Sequence, residues 1–351
     1  VRQISSRDYF NGKKLNNLGQ VAGSVYFGEP DVYGRRAYHA CTWDEADGFR
    51  DLGPLNGLST YATGINDTGV VVGNAVTDSG SGPGYNVAWN ASEGMRDLAL
   101  PGTWSGGDVS VNNTGQIAVT RSSRALLYDG VAVRNLGVLK NGTYSQARAV
   151  NDKAQVVGMA SNGTDLRPFL WTPRTGMIDL GTLGGTWSNG ATDINNAGQI
   201  IGLASTATNQ QHGFLWDKGV MTDLGTLPGA NESRAFAINI AGQVVGDSGG
   251  RGYIWQNGAM AALNDLLGND SQQWSVLDAR DINDSGVILA WAQVVPESAT
   301  IWLLMIGSQI VLRRGHDANR IPSGVEHPLH KPRTCRLSNL SFWAAVASTC
   351  T

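Results

Sequence analysis

The stretch Ala191-Thr192-Asp193-Ile194-Asn195-Asn196-Ala197-Gly198-Gln199-Ile200-Ile201-Gly202 decides the fold of this chain. An apolar run ends at Ile194, a polar step follows, and a second apolar run closes on a small residue. The step Asn-(Asp/Asn)-x-Gly, with single replacements, starts at Asn16, Asn66, Asn112, Asn151, Asn195, Asn239 and Asn283. Successive asparagines lie 50, 46, 39, 44, 44 and 44 residues apart. A period near 44 means one supersecondary unit copied along the chain.

The best-kept copy contains four short runs: Phe169-Leu170-Trp171, Met177-Ile178-Asp179-Leu180, Ala191-Thr192-Asp193-Ile194 and Gln199-Ile200-Ile201-Gly202. Turn residues separate them, and no helical periodicity of useful length occurs. Four strands in such a repeat is the blade of a β-propeller, so the expectation is an all-β propeller of six or seven four-stranded blades. On this phase the N-terminal copy is a half unit needing closure by C-terminal strands. The aromatic ending the first run recurs as Trp43, Trp89, Tyr128, Trp171, Trp216 and Trp255, which reads as packing between blades.

In the Asn step, the Asn side chain accepts a local backbone hydrogen bond and the Gly turns left-handed, giving a hairpin between the third and fourth runs. Ala154 breaks that rule in one copy.

The composition suits a turn-rich β protein. Of 351 residues, 46 are Gly and only 16% are charged. Net charge is −3; residues 313–351 carry +4 (six Lys/Arg, two Asp/Glu), leaving −7 on the rest. A body of that sign argues against nucleic-acid partners. The three cysteines, Cys41, Cys335 and Cys350, are too few for a disulfide framework, and Cys41 reads as a buried strand residue. Val1 is no initiator methionine, so the expectation is a processed chain or a fragment.

Linked motifs carry a family resemblance. Gly176-Met177-Ile178-Asp179-Leu180-Gly181-Thr182-Leu183-Gly184-Gly185, then Ala191, Ile194-Asn195 and Gly198 to Gly202, resembles the bacterial extracellular HAF-repeat family. Its His-Ala-Phe tripeptide survives as His39-Ala40-Cys41 and His212-Gly213-Phe214. That family has no assigned biochemical function, so the resemblance implies an extracellular location more than a chemistry. Val295-Pro296-Glu297-Ser298, the apolar run Ile301 to Leu312 and Arg313-Arg314 resemble a degenerate PEP-CTERM signal, which an exosortase reads in Gram-negative bacteria. The departures are Ser298 in place of the second Pro, an apolar run of 12 residues and a further 37 residues after the basic pair. A bilayer span needs about 20 residues, so only transient membrane contact through 295–314 is expected. The competing reading has Ile301-Trp302-Leu303 closing the propeller as a strand. The domains then read 1–293 propeller, 294–314 sorting segment and 315–351 disordered tail.

No nucleophile elbow, zinc-protease motif or phosphate loop occurs. His39 and His212 occupy equivalent repeat positions and read as structural, as do Asp51, Asp97, Asp179 and Asp223 before Leu. Calcium is the competing reading for Asp193 to Asn196 and Asp281 to Asp284, but the spaced carboxylates and distal Glu of a calcium loop are missing. No catalytic residue, metal or cofactor is assigned. The long loops gather on one face and carry Trp104, Tyr144, Trp187 and Trp274 as a candidate ligand-binding rim. The expected function is a monomeric, non-catalytic module for polysaccharide or a protein partner in the envelope or biofilm matrix. The alternative is a propeller enzyme acting on extracellular glycans with carboxylates in the central channel.

Overall fold

The computed structural model describes residues 10–27, 37–76, 84–268 and 273–295. It adds the short strands Arg2–Gln3, Gly307–Leu312, Cys335–Leu337, Leu340–Phe342 and Ala345–Val346. The described chain is a β-propeller with six complete four-stranded antiparallel blades and a seventh sheet of three strands.

Each blade runs outward in chain order. The innermost strands are Asn11–Leu15, Ser59–Ile65, Ser110–Val111, Ser145–Val150, Gly184–Ile194, Ser233–Ile238 and Trp274–Ile282. Blade five shows the pattern: Gly184–Ile194, Ile200–Thr206, Gln211–Asp217, Val220–Asp223. The third run of the sequence repeat is therefore the first strand of the blade. Periodicity gives the length of a repeat but not where the sheet begins, so the phase had to come from the pairing. The same shift makes the N-terminal unit a complete blade and leaves the C-terminal sheet a strand short. Of the run resembling a sorting signal, Gly307–Leu312 pairs antiparallel with Ile288–Val294 as the third strand of that sheet. Ile301-Trp302-Leu303 and Arg313-Arg314 lie outside the described residues.

Apolar clusters join neighbouring blades, as the recurrent aromatic implied. Trp43 packs with Leu15 and Val21 of blade one and with Val287 and Leu289 beside the seventh sheet. Trp171 of blade four packs with Leu127 and Leu136 of blade three, and Arg134 lies over its ring at 5.7 Å.

The Asn turns do more than reverse the chain. Each ring Asn accepts backbone N–H groups locally at Oδ1, as Asn16 does from Leu18 and Gln20. Its Nδ2 donates to the carbonyl of the next blade's Asn. These bonds run Asn16→Asn66→Asn112→Asn151→Asn195→Asn239→Asn283→Asn16 at 2.9–3.2 Å. The circle is complete, and all seven asparagines are 3–6% exposed. Among the described residues no strand is shared between first and last blades, and the ring crosses the seam on side chains.

A second, exposed tier uses the following residue: Asn17, Asp67, Asn113, Asp152, Asn196, Ile240 and Asp284. Six of these backbone N–H groups reach the next blade's side-chain oxygen at 2.8–2.9 Å. Amides alternate with carboxylates, so each Asp is met by Asn Nδ2 donors. Alternation cannot close on an odd number of members. Two like groups would have to adjoin somewhere, and adjacent carboxylates repel. Ile240 occupies that place, between Asn196 and Asp284.

The residue at the Gly position has positive φ in every copy, including Ala154 at 56°. We expect Ala154→Gly to stabilise the fold by up to about 1 kcal/mol. Gly198 has φ 92°, and a Cβ there would meet only Gln155 Oε1 at an ordinary 3.6 Å, so Gly198→Val reports mainly the backbone penalty. It should cost about 1–3 kcal/mol in urea denaturation; equal midpoints for wild type and Gly198→Val would refute the turn assignment.

Candidate functional site

Six of the seven innermost strands contain a bulge three residues before the ring Asn. Pairing with the second strand skips Lys13, Thr63, Arg148, Thr192, Phe236 and Arg280. The bulge accompanies the small residue of the following strand. A Cβ on Gly202 would lie 2.4 Å from the Gly190 carbonyl oxygen, and one on Gly246 1.8 Å from that of Arg234. Blade three has Val119 at that position, and its inner strand pairs through Ser110 and Val111 without a register shift. A bulge re-aims a side chain. Here all six bulged residues line a central channel of about 770 Å³. The residue before the bulge is small and buried, Gly12 in blade one and Ala62, Ala147, Ala191, Ala235 and Ala279 in the others.

Some channel polar groups hold the blades together. Thr63 Oγ1 donates to the Val109 carbonyl and Thr192 Oγ1 to that of Ala235, both at 2.8 Å. Asp281 Oδ2 accepts the Leu15 N–H across the seam at 2.6 Å, and Asp193 Oδ2 accepts that of Ile238 at 3.3 Å. The oxygens of the candidate calcium positions are thus engaged by the next blade. Among the described residues no group of three or more His, Cys, Asp or Glu is placed to hold a metal.

Lys14 crosses the bore: Nζ lies 3.2 Å from Asp281 and 3.6 Å from Asp193, which belongs to a non-adjacent blade. Burial opposes its charge, but the two carboxylates outweigh burial and hold the ammonium above its ordinary value. Burial pushes the Asp281 carboxyl up, against the pull of Lys14. Arg280 is paired with Asp278 at 3.1 Å and lies over Trp291 at 5.3 Å. Arg148 has no such carboxylate. Its Nη2 meets Met159 Sδ at 3.5 Å, and burial pulls the guanidinium below its ordinary value, partly offset by Asp108.

The four rim aromatics do not act alike. Trp274 is 9% exposed and belongs to the apolar cluster of Leu263 and Leu267, so it is core. Trp104 braces blades two and three: Gly84 packs on its ring, and its Nε1 reaches Asn74 Oδ1 at 3.4 Å. Tyr144 is half-buried and gives its hydroxyl to Gln146 Oε1 at 3.2 Å. Trp187 is half-buried, fixed by its carbonyl accepting from Ser205 Oγ at 2.6 Å. Loop position alone could not separate brace, core and rim.

The recurrent His and Asp residues are scaffold. His39 Nδ1 meets Asp51 at 3.0 Å and His212 Nδ1 meets Asp223 at 2.8 Å. Asp51, Asp97, Asp179 and Asp223 each accept a backbone N–H two residues on, at 2.8–2.9 Å. Cys41 is 1% exposed in the seam cluster. The channel-lining residues were missed from sequence because the bulged positions vary between cation, hydroxyl and aromatic. The one available signal was the small residue seven places after six of the seven asparagines.

No protein-family model matches the chain, and no curated protein matches its sequence. Among solved structures it is similar to the β-propeller domain of the Trilobed protease from Pyrococcus furiosus. That match has TM-score 0.55 and 10% identity over 88% of this chain and 93% of that one. YCF48 bound to D1 peptide is similar at TM-score 0.50 and 12% identity, over 86% and 96%. TolB from Acinetobacter baumannii matches at TM-score 0.39 and 11% identity over 74% of this chain, which spans 53% of TolB. At these identities the likeness defines a class by fold, the β-propeller.

Lys14 binds its proton more tightly when folded, so its contribution is complete below the ordinary lysine value of 10.5 and fades as pH rises beyond it. Lys14→Met leaves two acids uncompensated. It should cost about 2 kcal/mol near neutral pH, less than a fully buried pair because the side chain is 35% exposed. Burial raises the Asp281 carboxyl, and its strain is relieved as it takes up a proton, so the deficit should shrink between near-neutral and acidic pH. Melting curves showing the same deficit at both pH values would contradict this seam.

Proposed function

We propose that this chain is a non-catalytic binding propeller of a bacterial surface or extracellular matrix, and that it takes polysaccharide into the central channel from the long-loop face. One observation carries the reading. A single backbone device, the inner-strand bulge, presents Lys13, Thr63, Arg148, Thr192, Phe236 and Arg280 to one channel, while the flanking scaffold positions repeat. Repeated geometry with unrepeated chemistry is what ligand selection on a repeat scaffold requires. The channel mixes planar polar groups with an aromatic, Phe236, and the half-buried Tyr144 and Trp187 lie towards the same face. The HAF-repeat resemblance supports the surface assignment; the PEP-CTERM resemblance is left with Val295 to Ser298 and Arg313-Arg314, since Gly307–Leu312 of its apolar run is a propeller strand. The enzyme alternative draws no support from Asp193 and Asp281, both of which are spent on neighbouring blades.

A glycan array with the purified chain tests this. Phe236→Ala should weaken binding of any captured glycan about tenfold, the loss of one stacking contact. Leu18→Ala alters an Asn-turn residue that is 69% exposed at the opposite end, and should change nothing. Binding that survives Phe236→Ala, or that Leu18→Ala abolishes, argues against the channel. Capture of peptides in place of glycans would favour a protein partner.

A further inference from the structure

We infer that the channel's ligand is an acidic saccharide whose carboxylate is received by the Arg148 guanidinium, an inference that rests on the polysaccharide reading above.

The other channel cations are supplied with acids by the chain itself. Lys14 has Asp281 and Asp193, Arg280 has Asp278, and Arg234 approaches Glu232 at 3.9 Å. Lys13 has no ion pair among the described residues, but it stands exposed to solvent. Arg148 differs from all of these. It sits on a bulge that turns it into the channel, it is half-buried, and its partner is a thioether sulfur at 3.5 Å. A thioether is a weak acceptor, so the guanidinium's five donors are poorly used. A desolvated cation with no ion pair among the described residues is costly, and burial weakens its hold on the proton, only partly offset by Asp108 on the same wall.

The surroundings fit a planar anion. Gln146 lies two residues before Arg148 on the same wall, its Oε1 taken by the Tyr144 hydroxyl. That bond fixes the amide so that Nε2 lies against Gly107 at the channel surface, 2.8 Å from where a Cβ would stand. Arginine's fork matches a carboxylate with two parallel N–H···O bonds, which a compact ammonium does not offer. Gln146 adds an amide donor beside it. Where every other wall cation has an ion pair or open solvent, this one has only the field of Asp108, and its donors are left for a ligand.

Isothermal titration with galacturonate oligomers and with their fully methyl-esterified form tests the inference, because esterification removes the carboxylate charge at the cost of one methyl group per residue. The wild-type chain should bind the acid form, and esterification should weaken binding about tenfold to a hundredfold, as for a charge-assisted hydrogen-bonded pair. Arg148→Met should abolish that preference while keeping or raising the melting temperature, since it removes an uncompensated cation. Arg148→Lys should restore part of it. Equal binding of both forms, or an acid preference that survives Arg148→Met, overturns the anionic anchor and leaves the polysaccharide reading standing. An Arg148→Met chain that no longer folds overturns it also, by making Arg148 structural. If neither form binds and the glycan array is also blank, the polysaccharide reading fails and takes this inference with it.

Discussion

Everything in this fold hangs on one side-chain amide used at full capacity. A ring Asn accepts one or two backbone N–H groups at Oδ1 and donates from Nδ2 to the neighbouring blade and, in five copies, to a Gln four residues on. Asp could supply the acceptors but has no donor, and an aliphatic residue supplies neither. Burial to a few per cent exposure makes an unpaired amide expensive, so the bonds are effectively obligatory. Among the described residues the seam is held by Asn283, Asp284, Asp281 and the apolar contacts of Val287 and Leu289 with blade one.

The same constraint shapes the channel. Blades converge on the axis, so inner strands must crowd together, and small residues such as Ala191 and Ala235 answer that crowding. The bulge then carries the next side chain out of the strand's alternation and into the bore. It also presses a carbonyl against the facing strand, which is why Gly follows seven residues after most ring asparagines. The fold thus creates, as a by-product of closure, one freely variable position per blade pointing at a common volume. Two of these positions, Thr63 and Thr192, have been drawn back into joining blades. Arg148 and Phe236 have not.

Much of this was legible in the chain and some was not, for reasons that can be named. The turn at Asn195 and the left-handed residue at Ala154 follow from local backbone sterics, so sequence sufficed. The inter-blade role of Trp43 and Trp171 followed from recurrence of large apolar groups at one repeat position. The phase of the blade did not follow, because a circular repeat has no intrinsic beginning. The Asn ring did not follow either: a local turn already accounts for Asn, and its second partner lies 39–50 residues away or across the seam. The sequence places Trp104, Trp187 and Trp274 alike in long loops, yet Trp187 and Trp274 lie in the innermost strands Gly184–Ile194 and Trp274–Ile282, and Trp274 is core while Trp104 is a brace. Which of these a loop aromatic becomes depends on the neighbouring blade, here Gly84 beside Trp104.

The most direct measurement is the stability of Asn283→Asp by urea denaturation. Asp keeps the turn's acceptor but removes the Nδ2 donor to Asn16 across the seam, so it separates the local role of Asn from the circular one. The account predicts a loss of at least about 2 kcal/mol, because a buried donor becomes a carboxylate facing a carbonyl. A variant as stable as wild type would contradict the claim that the asparagine circle closes the propeller.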